Sequence, residues 1–355
     1  MSKASSRASV RSVAAAAGVS PSVVSAVLRG ESETGGTARY SVATAARVRG
    51  AASRLGYVSN RLAQALISKQ DFVFGALSPW PRHERYDAIV RFMAEAFWRD
   101  GCHLTLESCG FRHEDIMTHL RDLVSLQASA VVMVPAVSMN VDDETVLNEH
   151  QEQLALCPNL FCFDWFRDKL LFDCVSVDEY ALSRIPLEHL HEQGHRNIVF
   201  IGNGGDQRKA QVGRALQALK SEISVDYVTS GFRGDKNLME ADIPELARAA
   251  LALNPRPTAI YCWRDPYAAA TYRVCEEEYG LKIGKDIALM GQDNTTLATS
   301  LPVPLSSLDL DDRGMADEMV RLIMQRLGGE LPPGPVRRVC APRLEIREST
   351  RFHHD

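Results

Sequence analysis

No stretch of the 355 residues is long and apolar enough to cross a membrane. A secretory leader is missing too. The N-terminus is basic, but the apolar run over 13–19 is short, mostly alanine, and is broken by Ser20-Pro21. The eight cysteines include no CxxC pair and are too sparse for a disulfide scaffold, so they read as reduced thiols of a cytoplasmic protein. His113-Glu114 with His119 lacks the i+4 histidine of a zinc helix, and the cluster His189, His191 and His195 makes no better metal site. Gly202-Asn203-Gly204-Gly205 approaches a dinucleotide fingerprint, but Gln207 stands where its third glycine belongs. No nucleophile–base arrangement emerges. These absences point to a protein with no metal or cofactor that is not an enzyme.

Acidic residues are scarce at one end only. The first 70 residues hold ten Lys or Arg against Glu31 and Glu33, a net charge of +8; the remainder is −13. That division describes a small module built to meet a polyanion, joined to a body that is not.

The module has its own pattern. Val13, Ala14 and Ala17 share one helical face, and Gly18 stops that helix. Ser20 can cap a second helix, with Pro21 at its first position, where a missing N–H costs nothing. Val23, Val24, Val27 and Leu28 form its inner side, leaving Ser20, Pro21, Ser22, Ser25, Ala26 and Arg29 to face a DNA groove. A third helix over 42–55 turns Ala45, Val48, Ala52 and Leu55 inward, with Arg47, Arg49 and Arg54 elsewhere on its surface. Two short helices around a glycine turn make a helix-turn-helix, and the surrounding cations supply affinity for phosphates.

The strings VRSVAAAAGVSPSVVSAVLRG and ARVRGAASRLGYVSNRLAQALISKQ resemble the headpiece and hinge of the LacI/GalR (lactose-repressor) family of bacterial transcription regulators. LGYVSN at 55–60 is similar to the family's LGY-x-PN signature, with Ser59 where proline is usual. The resemblance implies that residues from Asn60 to Lys69 form a hinge helix, ordered on operator DNA and paired in the minor groove. Asn60, Arg61, Ala63, Leu66 and Lys69 would then contact DNA, with Leu66 as the wedge between base steps. The recognition helix departs from the family: Val23-Val24-Ser25-Ala26 replaces Thr-Val-Ser-Arg. The guanine-reading arginine is gone, and Ala26 is left to meet a thymine methyl.

The body alternates strands and helices in two consecutive series, the first ending near 163 and the second beginning near 174. Such alternation means parallel sheets covered on both faces, with ligands bound at the strands' carboxyl ends. Here too the chain resembles the family: GHRNIVFIG, PTAIYCWRDPYAAA, DIALMGQDNTTLA and PRLEIREST match its motifs. The expected fold class is α/β: an all-α helix-turn-helix headpiece (1–57), a hinge (58–71), and a two-lobed periplasmic-binding-protein-like domain of doubly wound parallel sheets (72–350). The resemblance places three chain crossings near 170–175, 298–303 and 330–335.

Matching motifs carry cleft residues across. Asp164, Asp178, Asp265 and Asp293 stand where the family has strand-end acids, which suit sugar hydroxyls; Asp265 and Asp293 could equally cap helices or tie loops. Arg208 stands near a helix start that supplies a cleft arginine. Trp80, Trp165 and Trp263 each follow a strand and could stack on a ring. Arg264 replaces the family's asparagine, which suggests an anionic effector.

The expected function is effector-controlled, sequence-specific binding of double-stranded operator DNA, most simply repression. The expected effector is a sugar, sugar acid or sugar phosphate rather than a purine. The C-terminus lacks a leucine-heptad tail, so a homodimer is expected, with no membrane partner. A two-lobed enzyme with a nucleotide cofactor and a secreted solute-binding protein are the alternatives.

Overall fold

The computed structural model describes residues 8–29, 40–57, 73–79, 84–110, 112–134, 143–164, 170–202, 206–219, 223–229 and 243–351. The chain divides into two compact units, Met1–Gln70 and Asp71–Asp355.

In the first unit, α1 (Val10–Ala17), α2 (Pro21–Arg29) and α3 (Val42–Arg54) enclose one small core. Ser9 and Ser12 cap α1 reciprocally: the Ser12 N–H donates to Ser9 Oγ at 3.2 Å and the Ser9 N–H to Ser12 Oγ at 2.8 Å. Gly18, at φ +65°, closes α1 in the left-handed conformation that only glycine adopts without cost. Across that break the helices bend by 101°, as in a helix-turn-helix. Val13, Ala14, Ala17, Val24, Val27, Ala45, Val48, Ala51 and Ala52 form the core. Two expectations fail. Ala26 is only 1 % exposed: its lone methyl is too short to clear its surroundings and offers no edge to a base. Leu55 is the C-cap of α3, beyond the helix's buried stripe, and is 42 % exposed, while Ala51 takes the inner place.

The second unit has two lobes, each on a six-stranded sheet. The first sheet has the order β11-β5-β4-β3-β1-β2, with β1 at Val73–Pro79, β2 at His103–Cys109, β3 at Ala130–Met133, β4 at Leu160–Phe163, β5 at Asp173–Val177 and β11 at Arg337–Cys340. The second has the order β12-β10-β9-β8-β6-β7, with β6 at Asn197–Gly202, β7 at Ser224–Thr229, β8 at Ala259–Cys262, β9 at Ala288–Gln292, β10 at Ser306–Asp309 and β12 at Arg343–Glu345. Every pairing is parallel except β10 with β12. The strand order reverses beside β1 in one lobe and beside β6 in the other, the doubly wound arrangement that opens a crevice at the carboxyl ends. The inner strands β3, β4, β5, β8 and β9 are buried throughout, as sheets covered on both faces require.

Helices α4 (Glu84–Arg99), α5 (His113–Ser125) and α6 (Asp143–Leu156) belong to the first series. Helices α7 (Ala181–Glu192), α8 (Asp206–Leu219), α9 (Ile243–Leu251), α10 (Asp265–Arg273) and the short α11 (Thr296–Ser300) belong to the second. Helix α12 (Asp312–Leu327) comes late in the chain yet returns to the first lobe, where Met315, Met319 and Ile323 pack with Phe74, Met93 and Phe97.

The crossings therefore lie later than expected, next to Asp178, at 310–311 and at 341–342. Each expected position falls inside a lobe. Residues 173–177 form a strand hydrogen-bonded to β4 and β11, 296–300 form α11, and 330–335 lead into β11.

Met319 is fully buried. Met319→Ala is expected to destabilise the protein by about 2–5 kcal/mol through the cavity it leaves. Urea unfolding measures this, and an unchanged midpoint would contradict the assignment of α12 to the first lobe's core.

Candidate functional site

The carboxyl ends of the strands and the starts of the following helices meet around a cavity of about 60 Å³, lined by Arg85, Tyr86, Asp164, Val177, Leu182, Arg208, Trp263, Arg264, Gln292, Asp293 and Leu310. Both lobes contribute. Asp164 follows β4 at φ +56°, and Asp293 follows β9 at φ +94°. Trp263 and Arg264 follow β8, and Arg208 lies on α8. Sharp backbone turns at strand ends aim these side chains across the crevice instead of along the sheet.

The floor is an ion network. Arg85 Nη1 donates to Asp164 Oδ2 at 2.6 Å, and Arg85 Nε lies 2.9 Å from Asp312 Oδ1. The Tyr86 hydroxyl donates to Asp164 Oδ2 at 3.4 Å. Burial, with Asp293 and Asp164 nearby, pushes the Asp312 carboxyl up to about 7 against the pull of Arg85. On the opposite wall the Tyr261 hydroxyl lies 2.9 Å from Gln292 Oε1 and 3.0 Å from the Leu182 carbonyl, which fixes Gln292 at the cavity edge. Arg264 lies over the Trp263 ring, 4.5 Å from its centre.

Of the nine expected effector contacts, five come together here: Asp164, Arg208, Trp263, Arg264 and Asp293. Trp80 and Trp165 lie outside the described residues. Asp178 is a helix cap instead, accepting the Ala181 N–H at 3.1 Å. Asp265 is fully buried and turns away from the cavity. Its Oδ2 accepts the Thr295 N–H at 2.7 Å and the Thr295 hydroxyl at 2.9 Å, and its Oδ1 accepts the Ser307 hydroxyl at 2.7 Å. Asp265 thus holds the loop that aims Asp293. The next residue, Thr296, reaches across the crevice: Glu84 on α4 accepts its N–H at 3.0 Å and its hydroxyl at 3.2 Å.

Arg85, Tyr86 and Gln292 line the cavity without having been singled out as ligands. The available signal was their position: Arg85 and Tyr86 open the first helix after β1, and Gln292 ends β9.

In the first unit, Ser20, Pro21 and Ser22 are exposed on α2 and its approach, and Ser25 is half-buried. Arg47, Arg49 and Arg54 are exposed on α3. The Arg29 side chain and Asn60, Arg61, Ala63, Leu66 and Lys69 lie outside the described residues. No described helix is long and apolar enough on its own to cross a membrane. No group of three or more His, Cys, Asp or Glu among the described residues is placed to hold a metal.

Burial raises the Asp265 carboxyl from 3.8 to about 7, with Asp293 adding to the effect and the three hydrogen bonds opposing it. A proton held more tightly in the folded state favours folding at low pH. That contribution is lost as pH rises from about 4 through about 7, at up to about 1.4 kcal/mol per pH unit. Asp265→Asn keeps a neutral group in place and is expected to flatten part of this decline, so the variant gains on the wild type as pH rises. Melting curves from pH 5 to 8 check this, and parallel curves would contradict it.

A family model described as a periplasmic binding protein-like domain matches residues 187–350. The chain is 25 % identical over 345 residues to the transcriptional regulator MalR of Streptomyces coelicolor, covering 95 % of each. It is 27 % identical over 357 residues to the regulator CelR of Thermobifida fusca, covering 97 % of this chain and 98 % of the relative. The transcriptional repressor PurR of Vibrio parahaemolyticus is 22 % identical over 326 residues, covering 90 % of this chain and 92 % of the relative. Among solved structures, a Lac repressor dimer bound to operator and the anti-inducer ONPF superposes with a TM-score of 0.78 at 22 % identity, over 97 % of this chain and 99 % of that one. A CelR–cellobiose complex gives 0.63 at 25 % identity, over 97 % and 100 %. These relatives are named as transcription regulators, and each of them covers nine-tenths or more of this chain; along nearly its whole length the chain is similar to regulators of the LacI/GalR family.

Proposed function

We propose that this chain is a cytoplasmic repressor that binds operator DNA as a homodimer, with its grip set by a sugar-type effector in the cleft. The observation that carries this is a helix-turn-helix on the same chain as a two-walled cavity lined by three guanidinium groups and two carboxylates. Paired headpieces would place recognition helices about 34 Å apart, one duplex turn. Ser20, Pro21, Ser22 and Ser25 would meet the groove, and the cations of the first 70 residues its phosphates. Residues 58–71 would form the hinge, with Leu66 as its wedge. Ala26 is withdrawn as a base contact.

The effector would favour one placement of the lobes, and that placement would set how well two hinges pair. Such coupling is typically about 1–3 kcal/mol and acts in both directions. Hydroxyl-rich ligands suit Asp164 and Asp293, which accept paired hydrogen bonds. A purine would need an open aromatic face, and one face of Trp263 is occupied by Arg264.

The test is DNA binding measured by fluorescence anisotropy with fragments from around the protein's own gene. A sequence-selective signal that weakens steeply with salt is expected. No selectivity over random duplex would contradict the proposal. Ser22→Glu sets a carboxylate against the duplex and should weaken binding at least tenfold without lowering Tm; unchanged binding would remove α2 from the interface. Glu84→Ala deletes both hydrogen bonds to Thr296 and should weaken effector binding about three- to tenfold with little change in Tm, since exposed polar contacts add about 1 kcal/mol or less to stability. Titration calorimetry reads that change, and an unchanged Kd would mean the cleft closes without them.

A further inference from the structure

The three guanidinium groups that reach the cleft are not equivalent. Arg85 has Asp164 and Asp312 beside it. Arg208 is 9 % exposed, yet it is in no ion pair among the described residues, and its Nη1 has no hydrogen-bond partner. Its neighbours are the Phe200 ring, 5.7 Å away, and the Tyr261 hydroxyl. Arg264 is also in no ion pair among the described residues and rests on Trp263. An arginine cannot lose its proton in a protein, so burying one whose described partners are a ring and a neutral hydroxyl, with Nη1 left over, is costly. A site that keeps such a cation in a cavity open to small molecules is built for the charge that will arrive.

The opposite wall asks for something different. Asp164 spends Oδ2 on Arg85 and Tyr86, while its buried Oδ1 has no hydrogen-bond partner. That oxygen needs a donor, which a hydroxyl supplies and an anion does not. The cavity therefore presents unused donors on the second lobe and an unused acceptor on the first.

We propose that the effector is a sugar acid, its carboxylate held by Arg208 and Arg264 and its hydroxyls directed at Asp164 and Asp293. This rests on the cleft being the effector site and names what enters it. Guanidinium forks bind carboxylates in paired hydrogen bonds, and hydrogen bonds to charged partners are the strong ones. The ligand's charge would then pull the second lobe's cations toward a molecule whose hydroxyls lie on the first lobe, so binding would draw the walls together.

The test uses the full-length protein and matched probes that differ in one group: gluconate against sorbitol, glucuronate against glucose, and galacturonate against galactose, with glucose 6-phosphate as a phosphate arm. Thermal melts and calorimetry follow each. At least one acid is expected to raise Tm by several degrees while its neutral counterpart does not. Arg264→Asn and Arg208→Gln are each expected to weaken that acid at least tenfold. Without ligand, Arg208→Gln is expected to melt at or above the wild-type temperature, because it removes a buried cation that no carboxylate among the described residues pairs with. A neutral sugar binding as tightly as its acid overturns the proposal. So do a panel in which no acid shifts Tm, a phosphate ester that binds where the acids do not, and an Arg208→Gln protein that melts well below wild type. DNA binding in the same preparations separates the two levels. Sequence-selective binding with a neutral-sugar response leaves the regulator standing and removes the acid. Loss of selectivity strikes the regulator and leaves the anion site to its own data.

Discussion

Arg85 must be neutralised where water is excluded, and the floor of the cleft is built from what neutralises it. Its partners come from far apart in the chain: Asp164 ends β4, and Asp312 begins α12. A buried charge that loses one partner is far costlier than one never placed there. The network therefore specifies geometry more than it adds stability. It obliges α12 to return to the first lobe after the chain has left it, and it fixes where β4 releases its last side chain.

The second wall obeys the same logic with uncharged partners. Asp265 is buried and pairs with no cation among the described residues; it holds Thr295 and Ser307 instead. That anchors a loop in which Asp293 and Asn294 both have positive φ, a conformation that needs outside support. The loop then presents Asp293 to the cavity and Thr296 to Glu84 on the other lobe. A ligand that moves the loop also moves the contact between the lobes, and a sensor needs such a connection.

What was legible in the sequence was local. Gly18 and the Val13–Ala17 stripe define the first turn of the headpiece because each acts within four residues. The strands were legible because inner parallel strands are apolar on both faces. Ala26 was misread because a helical wheel shows which way a methyl points, not what lies over it. Asp178, Asp265 and Asp293 look alike in sequence, each an acid at a strand end or helix start. Only the fold separates a cap, a tie and a cavity wall. Arg85 and Tyr86 escaped notice because their importance depends on Asp164, 79 and 78 residues away. The crossings, placed by the family resemblance, were displaced because lobe membership is decided by this chain's own strand pairing.

The central claim is that occupancy of the cleft and the grip on DNA are two ends of one equilibrium. The most direct measurement is a closed cycle of four titrations: operator affinity with and without saturating effector, and effector affinity with and without operator. The two ratios should be equal and differ from one, within about 5–150-fold. Two ratios of one would mean that a ligand can fill the cleft without the headpiece responding, and the coupling would be refuted.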